Sequence, residues 1–178
     1  SAASDVYKRH ELDLNKKNCH KFKKKKLAGD EHYRNVCQLC GYIDYESPQV
    51  VAGSIVTYKN KFLLCKRGIH PGYGLWTLPS GFVEKNESVE KGAMREAKEE
   101  ACIKIKIKNI FGVYSIKKRN IIQIIFLSRI SSSFCKPGIE SLDVKLFKYS
   151  EIPWKKLAFP SVKWALKRFK DYKNGKKL

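Results

Sequence analysis

The sequence of 178 residues predicts an α+β domain preceded by a small N-terminal segment. Three observations predict this fold class. Strand-like segments flank one central amphipathic helix, a second amphipathic helix closes the pattern, and the length suffices for one substantial core. We expect an N-terminal tail at 1–15, a cysteine-containing segment at 16–46, a main domain at 47–172 and a basic tail at 173–178. No apolar run approaches the roughly 18 residues that a membrane-spanning helix needs.

Alternating or β-branched apolar runs predict the strands, and short polar pairs predict the turns between them. In chain order, the expected strands are a hairpin within 34–46, then 49–58, 62–65, 76–78, 103–107 continued at 113–116, 121–130 and 144–149. Residues 131–138 are expected to form a loop. Ser161 is the expected N-cap of the last helix, which runs to about Tyr172. Its inner face is predicted to consist of Val162, Ala165, Leu166 and Phe169.

The central helix is predicted over Val89–Ala101, with Ser88 as its N-cap. Because an α-helix turns by about 100° per residue, Glu96, Glu99 and Glu100 share an arc of roughly 100°. Gly92 lies in the same arc, and its missing side chain is expected to leave room for a metal ion or a phosphate. The adjoining apolar face is expected to contain Val89, Ala93, Met94, Ala97 and Ala101.

Three acids on one face repel each other, and a hard divalent cation removes that repulsion. The acidic arc therefore predicts bound Mg²⁺ or Mn²⁺, which most often serves phosphate chemistry. Arg95 lies just beyond the arc, where it can pair with Glu87 in the preceding loop and fix the path of that loop. The alternative is a solvated surface helix held by salt bridges.

The spacing of the whole stretch distinguishes these interpretations. The pattern consists of Gly81, five residues, Glu87, seven residues, Arg95-Glu96, two residues, Glu99-Glu100 and an apolar Ile103. This pattern resembles the Nudix box. Cys102 departs from that pattern, because the family usually has a glycine there that ends the helix. The resemblance covers roughly 16–170 and extends to further segments at 64–67, 76–82, 140–142, 151–154 and 157–162.

The resemblance implies the Nudix α/β/α sandwich, in a subgroup that carries a small zinc ribbon before the domain and includes pyrophosphatases acting on ADP-ribose or FAD. It implies that Glu96 and Glu100 are direct metal ligands and that Glu99 acts as a ligand or as the base. It also implies that the Gly81 carbonyl completes the coordination shell of the metal. Glu140 is our candidate for an additional ligand or base, the alternative being an exposed loop acid. The expected reaction is attack by a metal-activated water on a diphosphate linkage, which gives two phosphate-bearing products.

Residues outside the box indicate the choice of substrate. NADH-specialised relatives carry a Ser-Gln-Pro-Trp-Pro-Phe-Pro-like signature after the box, and residues 121–128 lack it, which favours ADP-ribose or FAD. Four aromatic residues are either candidates for stacking on adenine or flavin, or belong to the core or rim: Tyr73, Trp76, Phe82 and Tyr114. The alternative functions are RNA 5′-end decapping or pyrophosphohydrolysis, and nucleotide sensing without catalysis. The intact acids argue against a sensor.

The net charge is +20, from 37 basic and 17 acidic residues. Much of the excess lies in two clusters, one of Lys21 with residues 23–26 and the other within 167–177. This charge predicts attraction of polyanions, either nucleotides or RNA, unless it reflects only a lysine-rich background composition.

The N-terminal segment contains Cys37-Gln38-Leu39-Cys40-Gly41, the pattern of a zinc knuckle. Cys19 and His20, or His32 in place of His20, would complete a Cys₃His zinc site. Lys16 stands where the resemblance expects a fourth cysteine, so a ribbon without its metal is the other interpretation.

The cysteines of the sequence indicate a reducing compartment. The chain has six cysteines, and we expect Cys65 and Cys102 in the main domain to be reactive thiols, which fits a reducing compartment better than a disulfide scaffold. The expected location is the cytoplasm, or an organelle if a targeting peptide has been removed. The resemblance also suggests a homodimer.

Overall fold

The computed structural model describes residues 21–175, and these form two compact units that divide between Ser47 and Pro48. The described part of the first unit is an antiparallel sheet of β1 (Phe22–Lys26), β2 (Tyr33–Cys37) and β3 (Ile43–Asp44), in that spatial order. The β2–β3 pair confirms the predicted hairpin. The lysine-rich β1 was not predicted.

The second unit is built on a mixed sheet whose main strand order is β10-β5-β4-β9-β8, with β6 paired to β5 and β7 paired to β4. Strands β4 and β9 are parallel, and the other pairs are antiparallel. The strands are β4 (Gln49–Tyr58), β5 (Lys61–Arg67), β6 (Trp76–Thr77), β7 (Ser80–Phe82), β8 (Lys106–Ile116), β9 (Ile121–Arg129) and β10 (Ser141–Phe147). The α-helices of the described part are α1 (Val89–Ala101) and α2 (Pro160–Lys173).

The helices pack on opposite faces of this sheet. Successive side chains of β4 point to opposite faces. Accordingly, Ile55 joins the apolar cluster that contains Leu166 of α2, whereas Val56 joins the cluster that contains Ala97 of α1. Fully buried alanines bring α1 close to the strands. This arrangement confirms the predicted α/β/α sandwich. Neither described helix has the length and apolarity to cross a membrane.

Some strand boundaries predicted from the sequence differ from those of the structure. Residues 103–105 are not a strand. Ile103 and Ile105 are buried in the connection after α1, so core contact rather than strand pairing explains their apolar alternation. The strand β8 instead runs continuously over Lys106–Ile116.

Two helix details were also wrong. Ser161 lies buried inside α2, whose N-cap is Phe159, because Pro160 has a fixed φ that suits the first helical turn. Met94 is 46% exposed and does not belong to the apolar face of α1. The predicted inner face of α2 is confirmed, since Val162, Ala165, Leu166 and Phe169 are all buried.

Candidate active site

The helix α1 has the predicted ends. The Ser88 hydroxyl accepts a hydrogen bond from the Lys91 backbone N–H at 3.3 Å, as an N-cap does. After Ala101, Cys102 adopts the left-handed conformation with φ 54°, and its N–H donates to the Lys98 carbonyl at 3.0 Å. Cysteine therefore takes the left-handed conformation that glycine commonly adopts after a helix, and the helix end is preserved.

Arg95 connects the acids of the site. Its Nε donates to Glu87 Oε1 at 3.0 Å and its Nη2 donates to Glu87 Oε2 at 3.1 Å. Its Nη1 donates to Glu96 Oε1 at 2.6 Å and to Glu99 Oε2 at 2.9 Å, and its Nη2 also reaches the Phe82 carbonyl at 2.8 Å. The pairing with Glu87 was predicted. The bonds to Glu96 and Glu99 were not, so Arg95 lies within the acidic group and partly neutralises it.

Gly81 lies directly against the carboxyl group of Glu96. On β7 it pairs with Ala52 of β4, and a Cβ atom added at Gly81 would overlap the Glu96 carboxyl group. A larger residue at position 81 would therefore displace the Glu96 carboxyl group from its place beside β7. The geometry places the backbone of Gly81 beside the predicted metal ligand Glu96.

Gly92 has a different role from the one predicted. A Cβ there would lie 3.2 Å from Glu87 Oε2 and 3.4 Å from Val83 Cγ2. The carboxyl group of Glu87 and the apolar side chain of Val83 thus fill the space beside Gly92. The expectation that it leaves room for a metal ion or a phosphate is wrong.

Glu100 is the most perturbed acid of the site. It is 6% exposed, and burial, followed by repulsion from Glu96, raises the pKa of its carboxyl group to about 8. The charge of Arg67 and the backbone N–H of Ser80 oppose this rise without cancelling it. Within residues 21–175, Oε2 of Glu100 has no hydrogen-bond partner.

Glu96 and Glu140 complete the electrostatic picture. Burial raises the pKa of Glu96, although its hydrogen bond from Arg95 lowers it, and Glu140 adds repulsion to both Glu96 and Glu100. Glu140 lies just before β10, where its carbonyl accepts a hydrogen bond from the Gly68 N–H at 2.7 Å. The structure therefore brings this predicted loop acid within electrostatic range of the helix acids.

The residues present fit a hard divalent cation. Within residues 21–175, no group of three acidic, histidine or cysteine side chains is positioned to hold a metal ion. Glu96 and Glu99 instead form ion pairs with Arg95. The unpartnered oxygen of Glu100 and its repulsion by Glu96 and Glu140 nevertheless indicate negative charge that the neighbouring arginines do not fully neutralise. Its donors are carboxylate and carbonyl oxygens, which Mg²⁺ and Mn²⁺ prefer.

Cys65 lies behind Glu100 and is not the reactive thiol that the sequence suggested. It is 1% exposed, and burial together with the neighbouring Glu100 raises its pKa well above the usual range. A buried protonated thiol is a poor nucleophile. Cys102 is half-buried, and its Sγ lies 4.0 Å from the Pro137 carbonyl oxygen. The contact between Cys65 on β5 and Glu100 on α1 depends on tertiary packing and has no signal in the sequence.

The four aromatic candidates have different environments. Trp76 belongs to the core, with its ring edge-to-face with Phe147 at 4.9 Å. The ring of Tyr114 stacks on Trp164 at 6.3 Å, and Tyr73 stacks on His70 at 5.8 Å. Phe82 is 48% exposed and directly follows Gly81. Of these four, Phe82 is therefore the exposed ring that adjoins the carboxylates along the chain.

Residues 47–167 match the NUDIX domain family. The chain belongs to this family. The ADP-ribose pyrophosphatase of Methanocaldococcus jannaschii is 36% identical over 135 residues, covering 74% of this chain and 78% of the relative. The crystal structure of a NUDIX hydrolase from Nitrosomonas europaea superposes with a TM-score of 0.83 at 39% identity, covering 88% of this chain and 89% of the other.

A more distant relative is the NAD-capped RNA hydrolase NudC of Photobacterium profundum. It is 29% identical over 130 residues, covering 71% of this chain and 48% of the relative. Together these comparisons confirm the prediction of a Nudix-type hydrolase that acts on a diphosphate linkage in nucleoside diphosphate derivatives.

The predicted zinc ligands are only partly within the described residues. The Cys37 carbonyl accepts a hydrogen bond from the Gly41 N–H at 3.0 Å, which closes the tight turn around Cys40. Gly41 has φ 72°, a conformation that glycine adopts readily. Cys19 and His20 lie outside the described residues, so the Cys₃His site stays a prediction.

Proposed function

We propose that this Nudix protein hydrolyses the diphosphate linkage of ADP-ribose, with FAD as the second candidate, in an Mg²⁺- or Mn²⁺-dependent reaction that gives two phosphate-bearing products. The observation that carries the proposal is the unpartnered, buried carboxyl oxygen of Glu100 within an acidic cluster on the Nudix helix. The 36% identity to an ADP-ribose pyrophosphatase supports the choice of substrate.

Each residue of the cluster has a proposed role. Glu96, Glu100 and the Gly81 carbonyl would hold the cation, Glu99 would act as ligand or base, and Glu140 would add a further ligand or base. The cation supplies charge neutralisation and a water of lowered pKa. Glu100 has a proton to release at neutral pH, since its pKa is raised to about 8, and cation binding favours that release.

Arg95 and Glu87 are positioning residues in this scheme. Arg95 binds both oxygens of Glu87, and the same Glu87 Oε2 accepts a hydrogen bond from the Glu84 N–H at 3.1 Å. The guanidinium therefore joins the loop after β7 to the second turn of α1. Because Gly81 lies on β7 and Glu96 on α1, this connection holds the two predicted metal-binding groups together.

A substrate panel tests the proposal. ADP-ribose, FAD, NADH, diadenosine polyphosphates, CoA and 5′-capped RNA are each incubated with Mg²⁺ or Mn²⁺, and the products are resolved by ion-exchange chromatography. We expect AMP and ribose 5-phosphate from ADP-ribose. Glu96→Gln and Glu100→Gln should each lower turnover by more than about a hundredfold with the fold intact, because charge stabilisation at phosphorus is lost.

Glu90→Gln is the matched control for these variants. Glu90 lies on the same helix but is exposed, and no predicted role involves it. Its removal should leave turnover within about twofold of wild type, as expected for a surface substitution. Wild-type turnover in either Glu96→Gln or Glu100→Gln would remove our site assignment.

RNA 5′-end hydrolysis is the second candidate function. The net charge of +20 and the similarity to an NAD-capped RNA hydrolase favour it, although the chain spans about half the length of that relative. A labelled 5′-capped RNA, assayed beside ADP-ribose at the same ionic strength, distinguishes the two candidates by kcat/KM. Tight ADP-ribose binding without hydrolysis would instead support a sensor.

We also propose structural Zn²⁺ in the N-terminal unit and a homodimer, both on the resemblance of the sequence to the zinc-ribbon subgroup. Elemental analysis of protein purified without chelator tests the zinc proposal. Analytical ultracentrifugation tests the homodimer. Less than about 0.1 mole of zinc per mole of chain would favour a ribbon that has lost its metal.

A further inference from the structure

An open groove of about 630 Å³ lies at the end of the main sheet, lined by Gln49, Phe82, Lys118, Arg119 and Ile121. It adjoins the carboxylate cluster, because Phe82 follows Gly81 and its carbonyl accepts the hydrogen bond from Arg95. A second cavity of about 220 Å³ lies near the β4–β5 turn, at the other end of β4. The groove is therefore the better placed of these two to receive part of a substrate bound at the cluster.

A row of side chains that leads from Phe82 across the α2 face of the sheet contains a buried polar group. Phe82, Val51, Gln123 and Tyr114 are register partners on β7, β4, β9 and β8, so their side chains form one row on the same face. Gln123 is 5% exposed, and its Oε1 has no hydrogen-bond partner within residues 21–175. A buried acceptor without a partner is unfavourable, and a donor group of a bound ligand would relieve it.

Two cations stand at the far end of the groove. Lys118 and Arg119 belong to the 3₁₀ turn Lys117–Arg119 between β8 and β9, and none of the ion pairs formed within residues 21–175 involves them. Arginine and lysine together suit a phosphate group, arginine through paired hydrogen bonds and lysine through its point charge. The neighbouring Lys117 does not line the groove.

The strand register gives the backbone separation between Gly81, beside Glu96, and Ile121, close after the two cations. Ala52 of β4 pairs with Gly81, and Gln49 of β4 pairs with Ile121, which follows the basic turn. Three residues of a strand span about 10 Å. This separation corresponds to about one nucleotide, with the exposed ring of Phe82 between its ends.

We propose that Lys118 and Arg119 bind a phosphate group on the ribose of the substrate nucleoside, one nucleotide away from the diphosphate that is hydrolysed. The preferred substrates are then nucleoside diphosphate derivatives with an additional ribose phosphate. This inference rests on the proposed function and narrows its substrate class. Phe82 contributes a stacking surface for the base, and Gln123 contributes an acceptor beside it.

Two matched substrate pairs test the inference. ADP-ribose 2′-phosphate is compared with ADP-ribose, and CoA is compared with dephospho-CoA, by kcat and KM at a fixed ionic strength of about 0.15 M, since salt screens exposed charges. We expect the wild type to have a KM about tenfold lower for at least one phosphorylated substrate than for its partner. The double variant Lys118→Ala/Arg119→Ala should lose this preference, and Lys117→Ala should keep it.

The outcomes separate this inference from the proposed function. A wild type that hydrolyses these substrates without preference, or a double variant that loses activity equally on both members of a pair, overturns the inference alone. If neither these four compounds nor FAD is hydrolysed, the proposed function fails. Calorimetric binding of adenosine 3′,5′-bisphosphate and adenosine 2′,5′-bisphosphate against AMP then still decides the phosphate site, because equal affinity for all three overturns it.

Discussion

Glu100 should make the stability of the metal-free protein decrease as pH rises. Its pKa is 4.5 as an ordinary glutamate and about 8 in the folded chain. Between these values the unfolded chain releases a proton that the folded chain keeps, so increasing pH favours unfolding. Each pKa unit corresponds to about 1.4 kcal/mol, which gives an upper value of about 5 kcal/mol lost between pH 4.5 and 8.

Glu100→Gln isolates this effect, because glutamine keeps the shape of the side chain and does not titrate. Urea unfolding of wild type and variant, with EDTA present, should give similar free energies of unfolding near pH 5. Above pH 8 the variant should be more stable by several kcal/mol, up to about 5. Glu90→Gln, on the exposed side of the same helix, should follow the wild-type pH dependence.

Parallel curves for wild type and Glu100→Gln from pH 5 to 9 would refute the reasoning, because they would mean that the Glu100 carboxyl group is solvated in the folded state. Adding Mg²⁺ provides a second readout. The cation binds deprotonated carboxylates and the folded state only, so it should stabilise the wild type most above about pH 7 and stabilise Glu100→Gln much less.

Three further predictions concern single residues of the site. Arg95→Ala should lower turnover and reduce the free energy of unfolding by about 1–3 kcal/mol, because the partly buried carboxylates of Glu87 and Glu96 lose their donor. Unchanged urea midpoints would contradict this. Cys102→Gly should stabilise the chain by about 1 kcal/mol by relieving the left-handed conformation, with a Tm increase of about 2–4 °C in calorimetry and no such gain for Cys102→Ala. Gly81→Ala should lower kcat at least about tenfold, because the new methyl group displaces the Glu96 carboxyl group; wild-type kcat would show that Glu96 adjusts freely.

Local signals explain which parts of the fold the sequence could predict. The helix Val89–Ala101 follows from its N-cap and its alanine spacing, and Gln49–Tyr58 follows from its β-branched run. Both features act within a few residues of the chain. The acidic arc is similarly local, so the amino-acid sequence alone indicates the set of carboxyl groups and the pairing of Arg95 with Glu87.

The missed features depend on partners that are distant in sequence. Strand β1 consists mostly of lysines, which favour strands weakly, and forms through its register with β2. The role of Gly92 depends on where the Glu87 side chain folds back, and the burial of Gln123 depends on its neighbours across the sheet. No spacing rule within one segment contains this information.

The parallel pairing of β4 with β9 has a consequence for how the molecule forms. Ser54 and Ser128, whose hydroxyl groups are hydrogen-bonded at 3.1 Å across this pair, are 74 positions apart. Contacts of such long range require closure of a large loop and slow the folding of a domain. Since β7 and α1 lie inside that loop, we expect their final arrangement, and with it catalytic competence, to appear late, together with cooperative tertiary structure.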